Sequence, residues 1–74
     1  MTLSDVIAEV FSIPAMAAAD NLLLCKIKTW DSMTHMLLIT RVEQIFGVEF
    51  TGDEIADFRS VGDVRQALLT RGIQ

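Results

Sequence analysis

Cysteine is almost absent from this sequence, which contains a single one, Cys25, among 74 residues. A lone thiol excludes an internal disulfide and is typical of a reducing compartment. Histidine is equally scarce, with His35 alone, and one Cys and one His provide no ligand set for a metal ion. We expect Cys25 to be a small buried hydrophobe within the apolar segment from Leu22 to Ile27.

Basic residues and long apolar runs are also few. Six Lys and Arg face ten Asp and Glu, and the net charge of −4 argues against nucleic acid and suits basic partner surfaces. The longest aliphatic stretch is interrupted by Asp20, Lys26 and Lys28, which excludes a membrane span. The N-terminus has no basic start before an apolar run, so a secretory signal is not predicted. We therefore expect a soluble cytoplasmic protein.

The length allows one small domain, predicted over residues 1–74 and expected to be a monomer. Half of the residues are hydrophobic (51%), which is enough for folding. A core of this size rarely supplies more than roughly 3–5 kcal/mol of net stability. Nearly every apolar face must therefore pack, and an elaborate buried active site is not expected.

Apolar periodicity predicts helices and almost no strand. One stripe of a first helix contains Leu3, Val6, Ile7, Val10 and Phe11. Ser4 or Thr2 can cap its start, and Pro14 prevents it from continuing far past Ser12.

Residues 13–31 lack a continuous periodic pattern. We interpret them as a long ordered loop that can hold a helical turn and is pinned to the core by Leu22, Leu23 and Leu24. Loops of this length are uncommon in compact domains unless they carry function.

The strongest helix is predicted to begin at Asp31 and to stop at Gly47. Its core stripe contains Leu38, Ile39, Val42, Ile45 and Phe46. Thr51 and Glu54 fit a capping box that opens a short helix through Phe58.

A last helix is predicted between its cap, Ser60, and Gly72, which is expected to end it. Its inward side contains Val61, Val64, Ala67 and Leu68. The predicted fold class is therefore all-α, with three main helices, one short helix and a long loop between the first two main ones.

Ser32 is the candidate functional residue. It is expected in the first turn of the longest helix, after Asp31, and exposed because helix starts leave N–H groups that need solvent or a cap. A phosphate diester on its hydroxyl would lie beside the positive end of the helix dipole. That position favours the charge by a few tenths to ~1 kcal/mol.

The segment Asp31-Ser32-Met33 resembles the Asp-Ser-Leu signature of acyl carrier proteins, with Met in place of Leu. The similarity covers about residues 30–71 well and residues 3–12 loosely, and needs no gap after Ser32. Further matching landmarks are the segments at residues 43–47, 53–55 and 59–64. The resemblance implies the small four-helix bundle of that family.

The resemblance also implies a carrier rather than an enzyme. A phosphopantetheinyl transferase would attach 4′-phosphopantetheine from coenzyme A to the Ser32 oxygen. The thiol of the arm would hold an acyl or aminoacyl group as a thioester for loading and processing enzymes, as in fatty acid or polyketide biosynthesis. The Asp before Ser32 favours acyl cargo, and aminoacyl cargo stays open.

Residues around Ser32 are assigned accordingly. Asp31 is expected to cap the helix and to help present Ser32, and Met33 to be an adaptable surface contact. Trp30 is interpreted as a lid on the core or a partner contact. His35, one turn after Ser32, is interpreted as a solvated histidine or as a contact to the phosphate of the arm.

Two surfaces are candidates for partner contacts. The first is acidic and includes Glu43, Asp53 and Glu54, for which an ordinary solvated surface is the alternative. The second is apolar, at Met36 and Leu37 beside the serine. Many carriers have acidic residues on this helix where the present chain has Thr34, Leu37, Thr40, Arg41 and Gln44. We interpret that difference as evidence for a dedicated pathway.

Two other functions compete with the carrier. An unmodified helical adaptor would bind a partner through the Met33/Met36/Leu37 face. A small hydrolase would combine Ser32 and His35 with Asp31, but one helical turn does not place a base between a nucleophile and an orienting acid.

Overall fold

A computed structural model of the chain describes residues 1–73. It contains four α-helices: α1 Leu3–Phe11, α2 Ser32–Phe46, α3 Gly52–Asp57 and α4 Val61–Leu69. Two short 3₁₀ turns, Ala15–Ala17 and Leu24–Lys26, lie in the loop between α1 and α2. No strand forms within residues 1–73. The predicted all-α fold with three main helices and one short one is confirmed.

Each helix begins at a capping box. The side chain before the helix accepts the N–H of its third residue, and the third residue's side chain accepts the N–H of the cap. The four caps are Thr2, Asp31, Thr51 and Ser60. These local bonds explain why the helix starts follow directly from the sequence.

The helix ends match the sequence less uniformly. α2 ends as predicted at Gly47, which adopts a left-handed φ of 66°. α1 ends at a left-handed Ser12, two residues before Pro14. The prediction that Gly72 ends the last helix is wrong, because α4 stops at Leu69 and a turn separates it from Gly72.

The core is one cluster of apolar side chains to which the main helices contribute. α1 buries Leu3, Val6, Ile7 and Phe11, and α2 buries Leu38, Ile39 and Val42. Spacings of three and four residues place each set on one helix face. Around them lie Ala18, Leu24, Ile27, Phe50, Phe58, Val61, Val64 and Leu68. The site on α2 therefore rests on a packed support.

Backbone hydrogen bonds hold the long loop against the rest of the chain. The Leu24 N–H donates to the Arg59 carbonyl (2.8 Å), and the Val61 N–H donates to the Leu22 carbonyl (3.0 Å). Leu23 forms an antiparallel bridge with Ser60. Of the three leucines expected to pin the loop, Leu24 is buried and Leu22 is half-buried. Leu23 is exposed, since neighbouring side chains in extended backbone point in opposite directions.

Gly62 allows α4 to approach the loop closely. Its N–H donates to the Asp20 carbonyl (2.8 Å), and a Cβ at this position would lie 2.9 Å from the same oxygen. Gly62→Ala is expected to lower the free energy of unfolding by about 1–3 kcal/mol, as overpacking does. A urea titration followed by circular dichroism measures the change.

Gly52 provides the matched control. A Cβ there would meet nothing within 4 Å. Gly52→Ala is therefore expected to be neutral or to stabilise the chain by about 0.4–1 kcal/mol through the unfolded state. Equal losses in both variants would contradict the close-approach explanation.

Candidate functional site

Ser32 is the first residue of the longest helix and is exposed. Asp31, the cap before it, has extended backbone and accepts the Thr34 N–H at Oδ1 (2.8 Å). The Thr34 hydroxyl accepts the Asp31 N–H at the same distance. The hydrogen bond from the Thr34 N–H is the main reason why the pKa of the Asp31 carboxyl is lowered. The cap therefore fixes the backbone on both sides of Ser32 and leaves the Ser32 hydroxyl in solvent.

The other serines offer worse positions for an anionic group. Ser4 is half-buried, with its hydroxyl 3.5 Å from the Ala18 carbonyl, and the Ser60 hydroxyl accepts the Asp63 N–H (3.2 Å). Ser12 is exposed but caps the C-terminal end of α1, where the helix dipole disfavours negative charge. Of the four serines, Ser32 alone combines exposure with a helix N-terminus. The residues at Ser32 therefore fit a phosphate-linked group.

A groove of about 370 Å³ runs beside Ser32 between α2 and α3. Its lining is mainly apolar and contains Trp30, His35, Met36, Ile55, Ala56 and Phe58. Trp30 is half-buried and packs against the core, in agreement with its interpretation as a lid.

His35 is not a solvated surface histidine, and that interpretation was wrong. The ring is half-buried. Its Nδ1 lies 3.3 Å from Trp30 Nε1, and its Nε2 lies 3.1 Å from the Ile55 carbonyl oxygen. Both ring nitrogens are engaged within the fold. A contact between His35 and the phosphate of an arm on Ser32 would require one of these bonds to break.

Three exposed apolar side chains lie next to Ser32 on α2. The exposed fractions are 80% for Met33, 49% for Met36 and 48% for Leu37. Together with Thr34 and Thr40 they border a shallow groove of about 410 Å³. We call Met33, Met36 and Leu37 the apolar face. Contiguous apolar patches that are exposed to solvent commonly mark contact surfaces. The apolar face is therefore a candidate contact surface.

A family model described as a phosphopantetheine attachment site matches residues 2–68. The chain belongs to this family of phosphopantetheine-binding carrier proteins. The resemblance to acyl carrier proteins is thereby confirmed. A search of curated proteins gives no significant match.

Membership defines the chemistry of this carrier protein in outline. Domains of the family hold a covalently attached 4′-phosphopantetheine group on a serine. They carry substrates for enzymes and are not themselves catalytic. Within residues 1–73 of the carrier, no helix combines the length and apolar character that a bilayer span requires.

The acidic residues predicted to meet partners differ in their availability. The Glu43 carboxylate accepts the Phe50 N–H (2.9 Å) and so holds the link after α2. The Glu54 carboxylate caps α3 and pairs with Arg71, whose Nη1 lies 2.9 Å from Oε2. Asp53 is exposed. The sequence predicts the capping role of Glu54, but it does not indicate the pair with Arg71 or the bond from Glu43 to Phe50.

The Arg71–Glu54 pair gives the carrier a defined response to acid. Hydrogen bonds from Arg71, and then from the Thr51 N–H, lower the pKa of Glu54 from 4.5 to about 2. A carboxyl group with a depressed pKa stabilises the fold above its unfolded pKa, and the contribution is lost as pH falls through the folded value. The window for Glu54 therefore extends from about pH 4.5 down to about pH 2.

Glu54→Gln tests this response. We expect the variant to be less stable than the unsubstituted chain at neutral pH and the difference to shrink as pH falls below 4.5. Urea unfolding midpoints at three or more pH values provide the measurement. A difference that stays constant to the acid end of the window would contradict the assigned role of the pair.

Cys25 is exposed, so the prediction that it is a buried hydrophobe was wrong. It lies in the second 3₁₀ turn, where Leu24 rather than Cys25 points into the core. Cys25 borders a cavity of about 300 Å³ together with Leu23, Trp30, Phe58 and Arg59. Cys25 is exposed because the turn directs Leu24 into the core, although the neighbouring residues are mostly apolar.

Proposed function

We propose that this carrier protein bears 4′-phosphopantetheine on Ser32 and delivers acyl cargo to the enzymes of a dedicated biosynthetic pathway in the cytoplasm. The observation that carries the proposal is the exposed Ser32 hydroxyl at the start of α2, directly after a residue that caps the helix. When bound, the group supplies a thiol that holds the cargo as a thioester.

The chain's own residues have distinct tasks in this proposal. The Ser32 oxygen bears the phosphate, which the helix dipole favours by a few tenths to about 1 kcal/mol. Asp31 keeps the first turn of α2 in a fixed conformation through Thr34, so a phosphopantetheinyl transferase meets a preformed serine. No residue of the carrier needs to make or break the thioester.

The apolar face favours the proposal that the partner enzymes are specific to this carrier. Met33, Met36 and Leu37 surround the attachment side of α2, whereas Glu43, the helix's one acidic residue, is engaged by Phe50. Asp53 is the predicted acidic contact that stays exposed, although its role in docking is a proposal. Enzymes that select a carrier by a strongly acidic α2 would bind this surface poorly. Normal rates of loading and extension by general fatty-acid enzymes would contradict the dedicated pathway.

Acyl cargo is proposed over aminoacyl cargo because an Asp precedes Ser32, as in acyl carriers. D-alanyl carriers share the Asp-Ser pair. Loading assays that compare an acyl-activating with an amino-acid-activating enzyme separate the two, and transfer of amino acids alone would overturn this part of the proposal.

Intact mass spectrometry tests the carrier function itself. The purified unmodified chain is incubated with coenzyme A, Mg²⁺ and a phosphopantetheinyl transferase of broad specificity. The carrier gains the mass of one phosphopantetheine group. No gain, under conditions that modify a known carrier, would contradict the proposal and favour an unmodified adaptor that binds through the apolar face.

A further inference from the structure

His35 connects three parts of the chain around the groove beside Ser32. The ring belongs to α2, its Nδ1 meets the indole N–H of Trp30 in the loop, and its Nε2 meets the carbonyl of Ile55 in α3. The Trp30 and His35 rings lie edge to face, with centroids 6.0 Å apart and planes at 78°. We propose that His35 is a positioning residue that holds Trp30 in the wall of the groove, and that a proton on His35 releases it.

The two hydrogen bonds fix the protonation state of the ring. The Trp30 Nε1–H group can only donate, so Nδ1 of His35 must accept and carry no hydrogen. The Ile55 carbonyl can only accept, so Nε2 must donate. The neutral tautomer with its hydrogen on Nε2 is the one form that satisfies both partners.

Protonation breaks one bond and preserves the other. The proton adds to Nδ1, where it faces the indole N–H, and two donors then oppose each other. Trp30 loses its acceptor and must turn toward solvent or another partner. The Nε2 bond to Ile55 survives, so α3 stays attached to α2. The change is therefore confined to the tryptophan.

Trp30 separates two spaces in the folded chain. It lines the groove that contains Ser32 and also the cavity that contains Cys25, and Phe58 is the other residue common to both. If Trp30 leaves this wall, we expect the groove and the cavity to open toward each other past Phe58 and to form a trough from Ser32 toward Leu23 and Leu24. If Ser32 carries the arm as proposed above, the trough would accept a longer apolar cargo than the groove alone.

Among the titratable groups near the groove, His35 is the one that contacts Trp30 directly. The groove's own lining contains no Asp, Glu, Lys, Arg or Cys within residues 1–73. At the cap of α2, the Asp31 carboxylate accepts the Thr34 N–H. On α3, Glu54 and Asp57 line a separate cavity that also contains Asp63. Beyond Trp30, the second cavity is lined by Cys25 of the loop and by Arg59 of the link between α3 and α4.

Nuclear magnetic resonance and fluorescence on the unmodified full chain test the proposal. The chain has one histidine and one tryptophan, so the signals of both rings are unambiguous. At about pH 8 we expect ring ¹⁵N shifts of the Nε2–H tautomer and a slowly exchanging indole N–H. When acidification adds a proton to the His35 ring, as its own ¹⁵N shifts report, we expect a red shift of Trp30 emission and faster exchange of the indole N–H in step with it.

His35→Leu is the matched control. It has no ring nitrogen, so its Trp30 signals are expected to stay near the acidic values of the unsubstituted chain at every pH, while circular dichroism verifies the helices. A pH response that persists in this variant, an Nδ1–H tautomer at high pH, or titration of His35 without change at Trp30 would each overturn the proposal. These measurements need no phosphopantetheine, so their failure is distinct from a failure of attachment at Ser32.

Discussion

Ser32→Ala is expected to abolish attachment of phosphopantetheine. The substitution removes the one serine oxygen that is both exposed and at the start of a helix. Its effect on the fold is expected to be small, because the Asp31 cap and its bonds to Thr34 do not involve the Ser32 side chain. In the transferase assay, the modified fraction should fall to background in the intact mass spectrum.

Ser12→Ala is the matched control for this loss. Ser12 is also exposed, yet it caps the C-terminal end of α1. The variant should gain the full mass of the group at the rate of the unsubstituted chain. Modification that survives in Ser32→Ala, or that disappears in Ser12→Ala, would place the attachment elsewhere.

Phe11→Ala is expected to unfold most of the protein. The Phe11 side chain is fully buried (0% exposed) and is among the largest in the core. Removing such a ring costs about 3–5 kcal/mol, and a domain of this size has roughly 3–5 kcal/mol in total. Loss of helical circular dichroism at neutral pH, or a urea midpoint near zero, is the expected result.

The substitution leaves the backbone contact of Phe11 in place. Its carbonyl accepts the Thr29 hydroxyl (2.7 Å), so the end of α1 holds the last part of the loop before α2. Met16→Ala is the control, since that side chain is 92% exposed and its loss should change the free energy of unfolding by less than about 0.5 kcal/mol. Equal stability of the two variants would contradict the described core.

Local interactions explain what the sequence allowed us to predict. A capping box joins residues three positions apart, and Thr51 with Glu54 is recognisable before any tertiary contact is known. The stripe on α1 likewise follows from helical periodicity alone. The exposed Ser32 follows from the same logic, because the first turn of a helix after a cap lies at the surface.

Contacts between distant residues account for most of what the sequence did not predict. His35 meets the Ile55 carbonyl twenty positions later, and Glu43 meets the N–H of Phe50 across the end of α2. Neither bond follows from a periodic pattern. The sequence therefore predicts a solvated ring or a phosphate contact for His35, and a partner contact or a solvated carboxylate for Glu43. The error at Cys25 has a related cause, because composition does not reveal which side of a single turn faces the core.

Direct localisation of the prosthetic group tests the central claim most closely. Trypsin cleavage after Lys28 and Arg41 releases the segment of residues 29–41, in which Ser32 is the one serine beside three threonines. Fragmentation of this peptide from the modified chain should place the whole added mass on Ser32. The same mass on Thr29, Thr34 or Thr40, or on a peptide that contains another serine, would contradict the account.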